Sequence, residues 1–189
     1  TSFTSGFRLY IGVNGKIYFE YNSTFLVGNT TLSANTWYNV TVKYDGTSYR
    51  IYINGSLDST QAGSALTWQA GTTQFVIGKY ASANYYFSGA IDGTTVWTKS
   101  LTEDEIIQLY NMGGGIQYPF TTQTIRTPYS VYNGDNLIDP VGAKNATIVG
   151  GVTYSVGKIG NAYTFDGSTG YLTLPVGSCL LYTSDAADE

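Results

Sequence analysis

Trp37-Tyr38-Asn39-Val40-Thr41-Val42-Lys43-Tyr44-Asp45-Gly46, followed by Tyr49-Arg50-Ile51-Tyr52-Ile53-Asn54-Gly55, is the stretch on which the fold turns. Tyr38, Val40, Val42 and Tyr44 alternate with Asn39, Thr41 and Lys43, the period of a strand with one face toward a core. Asp45-Gly46 and Asn54-Gly55 tolerate the positive φ of tight turns, so the chain reverses into Tyr49–Ile53 and again into Ser56-Leu57-Asp58. Three antiparallel strands joined by two short turns make a meander.

On the N-terminal side, Phe7–Ile11 and Lys16–Glu20 flank Asn14-Gly15 and read as a hairpin. On the other side, residues 61–73 are rich in Ala, Gly, Ser and Thr and form a long loop. Gln74–Gly78 is the next strand, Lys79–Tyr85 a second loop, and Tyr86–Thr98 mostly strand. The only helix expected lies near 102–112. Thr102 and Glu105 form a capping box, Ile106, Ile107, Leu109 and Tyr110 supply an apolar face, and Gly113 is the expected stop. Residues 113–128, opening on Gly113-Gly114-Gly115, read as a linker. Beyond it Ile148-Val149, Val152–Tyr154, Ala162–Phe165 and Tyr171–Leu174 are four short strands separated by Gly-containing turns. There is no βαβ rhythm, and the fold class expected is an all-β antiparallel sandwich with one short helix.

Apolar residues make up 42% of the 189 and charged residues only 12%, enough to bury a core. The net charge of −4 argues against a nucleic-acid partner, and no apolar run is long enough for membrane insertion. The absence of His removes His-based catalysis and the usual zinc sites, and a lone Cys179 removes disulfide frameworks. No strand carries paired acidic residues. Glu20 stands alone between Phe19 and Tyr21, and Glu103-Asp104-Glu105 belongs to the helix start, so no enzyme is expected. Residues 179–189, Cys179 to Glu189, differ in character and match codon for codon a translated transposase adapter used in library preparation. They are expected to be a non-native tail.

The order of Trp37-Tyr38-Asn39-Val40, Tyr44-Asp45-Gly46, Ile51-Tyr52-Ile53-Asn54-Gly55, Ile77-Gly78, Phe87-Ser88-Gly89-Ala90-Ile91-Asp92 and Leu101-Thr102 with Glu105-Ile106 resembles the laminin-G-like, concanavalin A-like lectin/glucanase superfamily. Residues 129–174, with Phe165-Asp166-Gly167-Ser168 before a strand, resemble the opening of such a domain. The resemblance implies a jelly roll. It divides the chain into 1–112, the closing portion of one domain, a linker at 113–128, and 129–178, the opening portion of a second. Such a seam implies tandem repeats of the same domain in a longer protein. In isolation, 129–174 are expected to complete the sandwich of 1–112 in circularly permuted order, because unpaired strand edges and apolar faces are costly. The alternative is that tandem neighbours complete each part.

Sugar rings present C–H groups that stack on aromatic faces. Trp68, Tyr80, Tyr85 and Tyr86, in or beside the two long loops, are the carbohydrate-binding candidates, with Asn84 and Gln69 as polar partners. The competing reading is that these aromatics plug the ends of the sandwich, whereas Trp37 and Trp97 are assigned to packing. The resemblance also implies a structural Ca²⁺. Asp92, Asp166 and a carboxylate from Asp135–Asp139, Asp135 first, are its candidate ligands. The competing reading makes each of them a hydrogen-bonded turn residue. Sequons at Asn22, Asn29, Asn39, Asn54 and Asn145 are largely compositional in a chain so rich in Asn, Ser and Thr. The expected function is a non-catalytic recognition module, extracellular or on a cell surface, binding glycans or cell-surface proteins. A structural or adhesive repeat of a cell-surface or phage appendage protein is the second reading, and a glycosidase remnant the third.

Overall fold

The computed structural model describes residues 7–21, 24–64, 75–80, 83–121 and 124–175. Trp68, Gln69 and the 179–189 tail lie outside the described residues.

Strands β1 (Phe7–Ile11) and β2 (Lys16–Tyr21) form the hairpin centred on Asn14-Gly15, with Leu9 opposite Phe19. Strand β3 (Thr24–Thr31), which the sequence pattern does not reveal, adds to β2 across an irregular register at Lys16–Tyr18. The meander is β4 (Val40–Tyr44), β5 (Ser48–Ile53) and β6 (Ser56–Ala62), with Val42 opposite Ile51 and Ile51 opposite Ser59. Asp45 Oδ1 accepts the N–H groups of Thr47 (3.0 Å) and Ser48 (2.9 Å) to close the first turn. Asn54 takes a φ of 52° in the second. The alternating set Tyr38, Val40, Val42 and Tyr44 packs onto a core of Ile17, Phe19, Tyr21, Leu26, Tyr49, Ile51 and Ile53, as its period requires. Asp58 ties the two sheets together, accepting Asn29 N–H (2.6 Å) and Thr30 N–H (3.0 Å).

The remaining strands are β7 (Phe75–Ile77), β8 (Ser88–Ile91), β9 (Thr94–Val96), β10 (Ser130–Tyr132), β11 (Thr147–Val149), β12 (Val152–Val156), β13 (Asn161–Asp166) and β14 (Tyr171–Leu174). Each early strand of this set pairs with a late one. Leu172 on β14 lies opposite Ile77 on β7, Thr164 on β13 opposite Ala90 on β8, and Val131 on β10 opposite Thr95 on β9. Strands from 130–174 thus lie beside strands from 75–96. Their joint core holds Ile77, Tyr132, Val152, Tyr163, Phe165, Leu172 and Leu174, with Phe75, Phe87 and Ile91 packed against it. Gly78 shows how close the approach is: at its φ of +91°, a Cβ would sit 2.3 Å from the Phe165 ring. Phe7 and Phe75, 6.0 Å apart, join this core to that of the meander.

Helix α1 (Glu103–Tyr110) starts with the expected capping box: Glu105 N–H donates to Thr102 Oγ1 (3.2 Å) and Thr102 N–H to Glu105 Oε2 (2.7 Å). It ends earlier than expected, at Asn111 in the left-handed region (φ 47°), which leads into a single 3₁₀ turn. Asn reaches that region more readily than other non-glycine residues, so Gly113 is not needed as the stop. Residues 113–128 are not a bare connector. Ile116, Phe120 and the buried Ile125 pack with Leu101, Ile106, Leu109 and Trp97, and Trp97 Nε1–H donates to the Arg126 carbonyl (3.2 Å). Trp37, by contrast, is 39% exposed and does not join a core. The single strand expected over 86–98 is divided in two at Asp92-Gly93, where Gly93 has a φ of 61°.

Candidate functional site

The loop after β7 closes as a narrowing ladder. Phe87 N–H donates to the Gly78 carbonyl (2.7 Å), Lys79 bridges Tyr86, and Tyr80 N–H donates to the Tyr85 carbonyl (2.9 Å). That closure sets the Tyr80 and Tyr85 rings side by side, centroids 6.5 Å apart and 25° between planes. Tyr85 is 74% exposed, and Asn84 beside it is exposed. Beneath them lies the Arg8 guanidinium, 4.8 Å from the Tyr80 ring and 5.0 Å from the Tyr10 ring. Tyr10 stacks in turn on Tyr18 (5.2 Å, 16°). Arg8 forms an ion pair with Glu20, which is 1% exposed. Burial pushes the Tyr10 phenol up, against the pull of Arg8. The result is a strip of aromatic faces, Tyr85–Tyr80–Arg8–Tyr10–Tyr18, with one guanidinium at its middle.

Arg8, Tyr10, Tyr18 and Glu20 were not among the sequence candidates, although the hairpin register could have found them. Arg8 lies opposite Glu20, and Tyr10 opposite Tyr18. Tyr86 leaves the strip. It stands 6.4 Å from Tyr171, with Lys79 Nζ 5.2 Å from one ring and 4.8 Å from the other, and so fastens the loop to β14.

Two of the three acidic candidates come together. Asp92 Oδ2 accepts Ile159 N–H (2.9 Å), and Asp135 Oδ1 accepts Asn161 N–H (3.0 Å), so both grip the turn between β12 and β13. Burial pushes the Asp92 carboxyl above its usual range against the N–H groups of Ile159, Lys158 and Gly134, and the neighbouring Asp135 adds to the rise. Asp92 Oδ1 is buried and makes no hydrogen bond of good geometry, the Lys158 and Gly134 N–H groups only approaching the carboxylate.

Asp166 stands apart. It pairs with Ser88, whereas Asp92 follows Ile91, which pairs with Tyr163; the offset along β13 is roughly 13 Å. Asp166 Oδ1 accepts the N–H groups of Ser168, Thr169 and Gly170 (2.8–2.9 Å), and Oδ2 accepts the Ser168 and Thr169 hydroxyls. The Thr169 hydroxyl and these N–H groups hold its carboxyl well below the usual range. The expected three-carboxylate site is therefore not assembled; Asp166 serves its own turn. Asp139, 2% exposed, accepts Val131 N–H and Val141 N–H (3.1 Å each). Its burial penalty is outweighed by backbone N–H donors, and its pKa is lowered. Among the described residues, no three His, Cys, Asp or Glu side chains converge as metal ligands.

A laminin-G family model, described as the concanavalin A-like lectin/glucanases superfamily, matches residues 1–107. The chain belongs to this superfamily. No curated protein and no solved structure matches it. The superfamily match ends within α1, yet β10, β13 and β14, which lie beyond it, pair with β9, β8 and β7 inside it. Superfamily membership makes a carbohydrate-binding type of module the coarse functional class, although glucanases share the fold. No helix among the described residues is long and apolar enough to cross a membrane.

Proposed function

We propose that the chain is a non-catalytic, extracellular carbohydrate-recognition module whose ligand stacks on Tyr85 and Tyr80. The observation that carries this reading is the exposed Tyr85 ring aligned with Tyr80 on a loop held closed by backbone hydrogen bonds. Such rings offer large contact area at small entropic cost, and Asn84 supplies both a donor and an acceptor for hydroxyl groups. The non-catalytic part is supported by the occupation of the carboxylates. Glu20 is buried against Arg8, Glu105 caps α1, and Asp166 is consumed by its turn. Neighbouring repeats of the same domain in a longer protein remain part of this proposal.

A glycan array followed by calorimetry on the best hit tests it. Tyr85→Ala is expected to weaken binding tenfold or more, about 1.4 kcal/mol or above, with the melting temperature unchanged. Binding that survives Tyr85→Ala intact overturns the assignment of the site. A folded protein that takes no glycan favours the structural or adhesive repeat.

The same proposal keeps calcium only at Asp92 and Asp135. Asp92 Oδ1, which makes no hydrogen bond of good geometry, is a hard oxygen donor beside a second carboxylate, and carbonyls and waters would complete the shell. Calcium is expected to raise the melting temperature of the wild-type chain and to leave that of Asp92→Asn unchanged. A wild-type melting temperature indifferent to both calcium and chelator removes the metal.

A further inference from the structure

Strand β12, Val152-Thr153-Tyr154-Ser155-Val156, is an edge of the sheet β12-β13-β8, and no other described strand pairs with it. Thr153 to Val156 are all exposed, Tyr154 at 47% and Val156 at 85%. Exposed edges are normally protected by a charge, a proline or a bulge. β12 has no charge and no proline, and its register with β13 is regular from Val152 to Val156.

The direction of its backbone groups follows from the hairpin. Gly151 carbonyl accepts Asp166 N–H (3.1 Å) and Gly157 N–H donates to the Gly160 carbonyl (2.9 Å), so the odd-numbered residues bond inward to β13. The N–H and C=O groups of Tyr154 and Val156, and the C=O of Val152, consequently point out from the free edge. Val152 N–H is engaged locally with the Gly150 carbonyl.

The strand is also nearly palindromic. Read against a reversed copy of itself, Val152 meets Val156, Thr153 meets Ser155, and Tyr154 meets Tyr154. We propose that β12 pairs antiparallel with the β12 of a second copy of this chain about a two-fold axis through Tyr154. Tyr154 N–H then bonds the carbonyl of the second copy's Tyr154, and Val156 N–H that of its Val152, each bond made twice by symmetry. A two-fold axis sets every charge against its like if the charge sits on its own partner position, so an uncharged strand is electrostatically matched to itself.

The side chains agree. Val152, Tyr154 and Val156 share the face of the core residues Tyr163 and Phe165, and the Tyr154 ring lies 5.7 Å from Tyr163. Across the axis the second copy's Val152, Tyr154 and Val156 extend that apolar face. Just outside the strand, Lys158 falls opposite the second copy's Gly150, so no like charges meet there. The sheet so formed runs β8-β13-β12 and then the same strands in reverse order in the second copy.

The test is self-association of the full chain, followed by sedimentation over a concentration series, together with site-directed crosslinking in a Cys179→Ser background. The wild type is expected to rise from the 20.4 kDa monomer toward twice that mass. Val156→Pro removes an outward N–H that the fold does not use and is expected to weaken association at least tenfold. Tyr154→Cys places symmetry mates about 5.5 Å apart at Cα, within disulfide range, and is expected to crosslink. Val156→Cys places them four residues out of register, roughly 13 Å apart, and is expected to remain uncrosslinked. A monomer at every concentration, or equal crosslinking at both positions, overturns the proposal. The cysteine pair decides the matter even if the proline variant does not fold.

Discussion

Arg126→Met is expected to destabilise the chain by about 1.5–3 kcal/mol at neutral pH, the loss of the charged hydrogen bonds that a half-buried guanidinium gives to a buried carboxylate. Glu105 is 6% exposed and its carboxylate receives Arg126 Nε–H at 2.8 and 3.0 Å, Arg126 N–H at 3.0 Å and Thr102 N–H at 2.7 Å. Methionine keeps most of the aliphatic bulk of arginine but removes the guanidinium, which leaves a buried charge with two backbone donors. The effect reaches beyond the helix, because the Arg126 carbonyl also receives Trp97 Nε1–H.

Titration separates this account from simple loss of packing. Burial alone raises the Glu105 pKa, but the Arg126 side chain and the N–H groups of Thr102 and Arg126 outweigh burial and hold it at about 2, below its ordinary 4.5. A carboxylate depressed in the folded state stabilises fully above its unfolded value, and that stabilisation is lost as pH falls toward the folded one. The gap between wild type and Arg126→Met is therefore expected to be widest above about pH 5 and to close between 4.5 and 2. Denaturant midpoints across that range measure it, and a gap constant with pH contradicts the electrostatic cause.

The second large effect is expected at Leu172→Ala. Leu172 is fully buried on β14, opposite Ile148 on β11 and Ile77 on β7, so three strands lose contacts when its side chain is cut back. Losses of about 2–5 kcal/mol are usual for such a cavity, corresponding here to about 5–15 °C in melting temperature.

Local chemistry carried much of the fold in readable form. The alternation of Tyr38 to Tyr44, the turns Asp45-Gly46 and Asn54-Gly55, and the Thr102–Glu105 box each depend on neighbours a few residues away. Strand β3 is not legible in the sequence, because Gly28 and Asn29 weaken its strand pattern and its register with β2 is irregular. Strand β10 is three residues long, and its partner β9 is more than thirty residues away in sequence. The ion pairs show the same limit. Glu105 was legible as a cap but not as the partner of Arg126, a residue placed in a supposed linker.

At the candidate site, the loop tyrosines Tyr80 and Tyr85 were legible as exposed aromatics, while their neighbours Arg8 and Tyr10 come from a hairpin that only tertiary packing brings close. For Asp166 the turn reading agrees with the geometry: five local donors, from Ser168, Thr169 and Gly170, converge on its carboxylate.

Residues up to 112 and residues 129–174 are expected to unfold as one cooperative unit, because β7–β14, β8–β13 and β9–β10 pair across them. All three tryptophans, Trp37, Trp68 and Trp97, lie in the first segment, and Leu172 lies in the second. Tryptophan fluorescence during thermal unfolding of Leu172→Ala therefore reads one segment while the other is damaged. The account predicts a single transition shifted down by the full amount seen by circular dichroism. A tryptophan transition left at the wild-type temperature would contradict it.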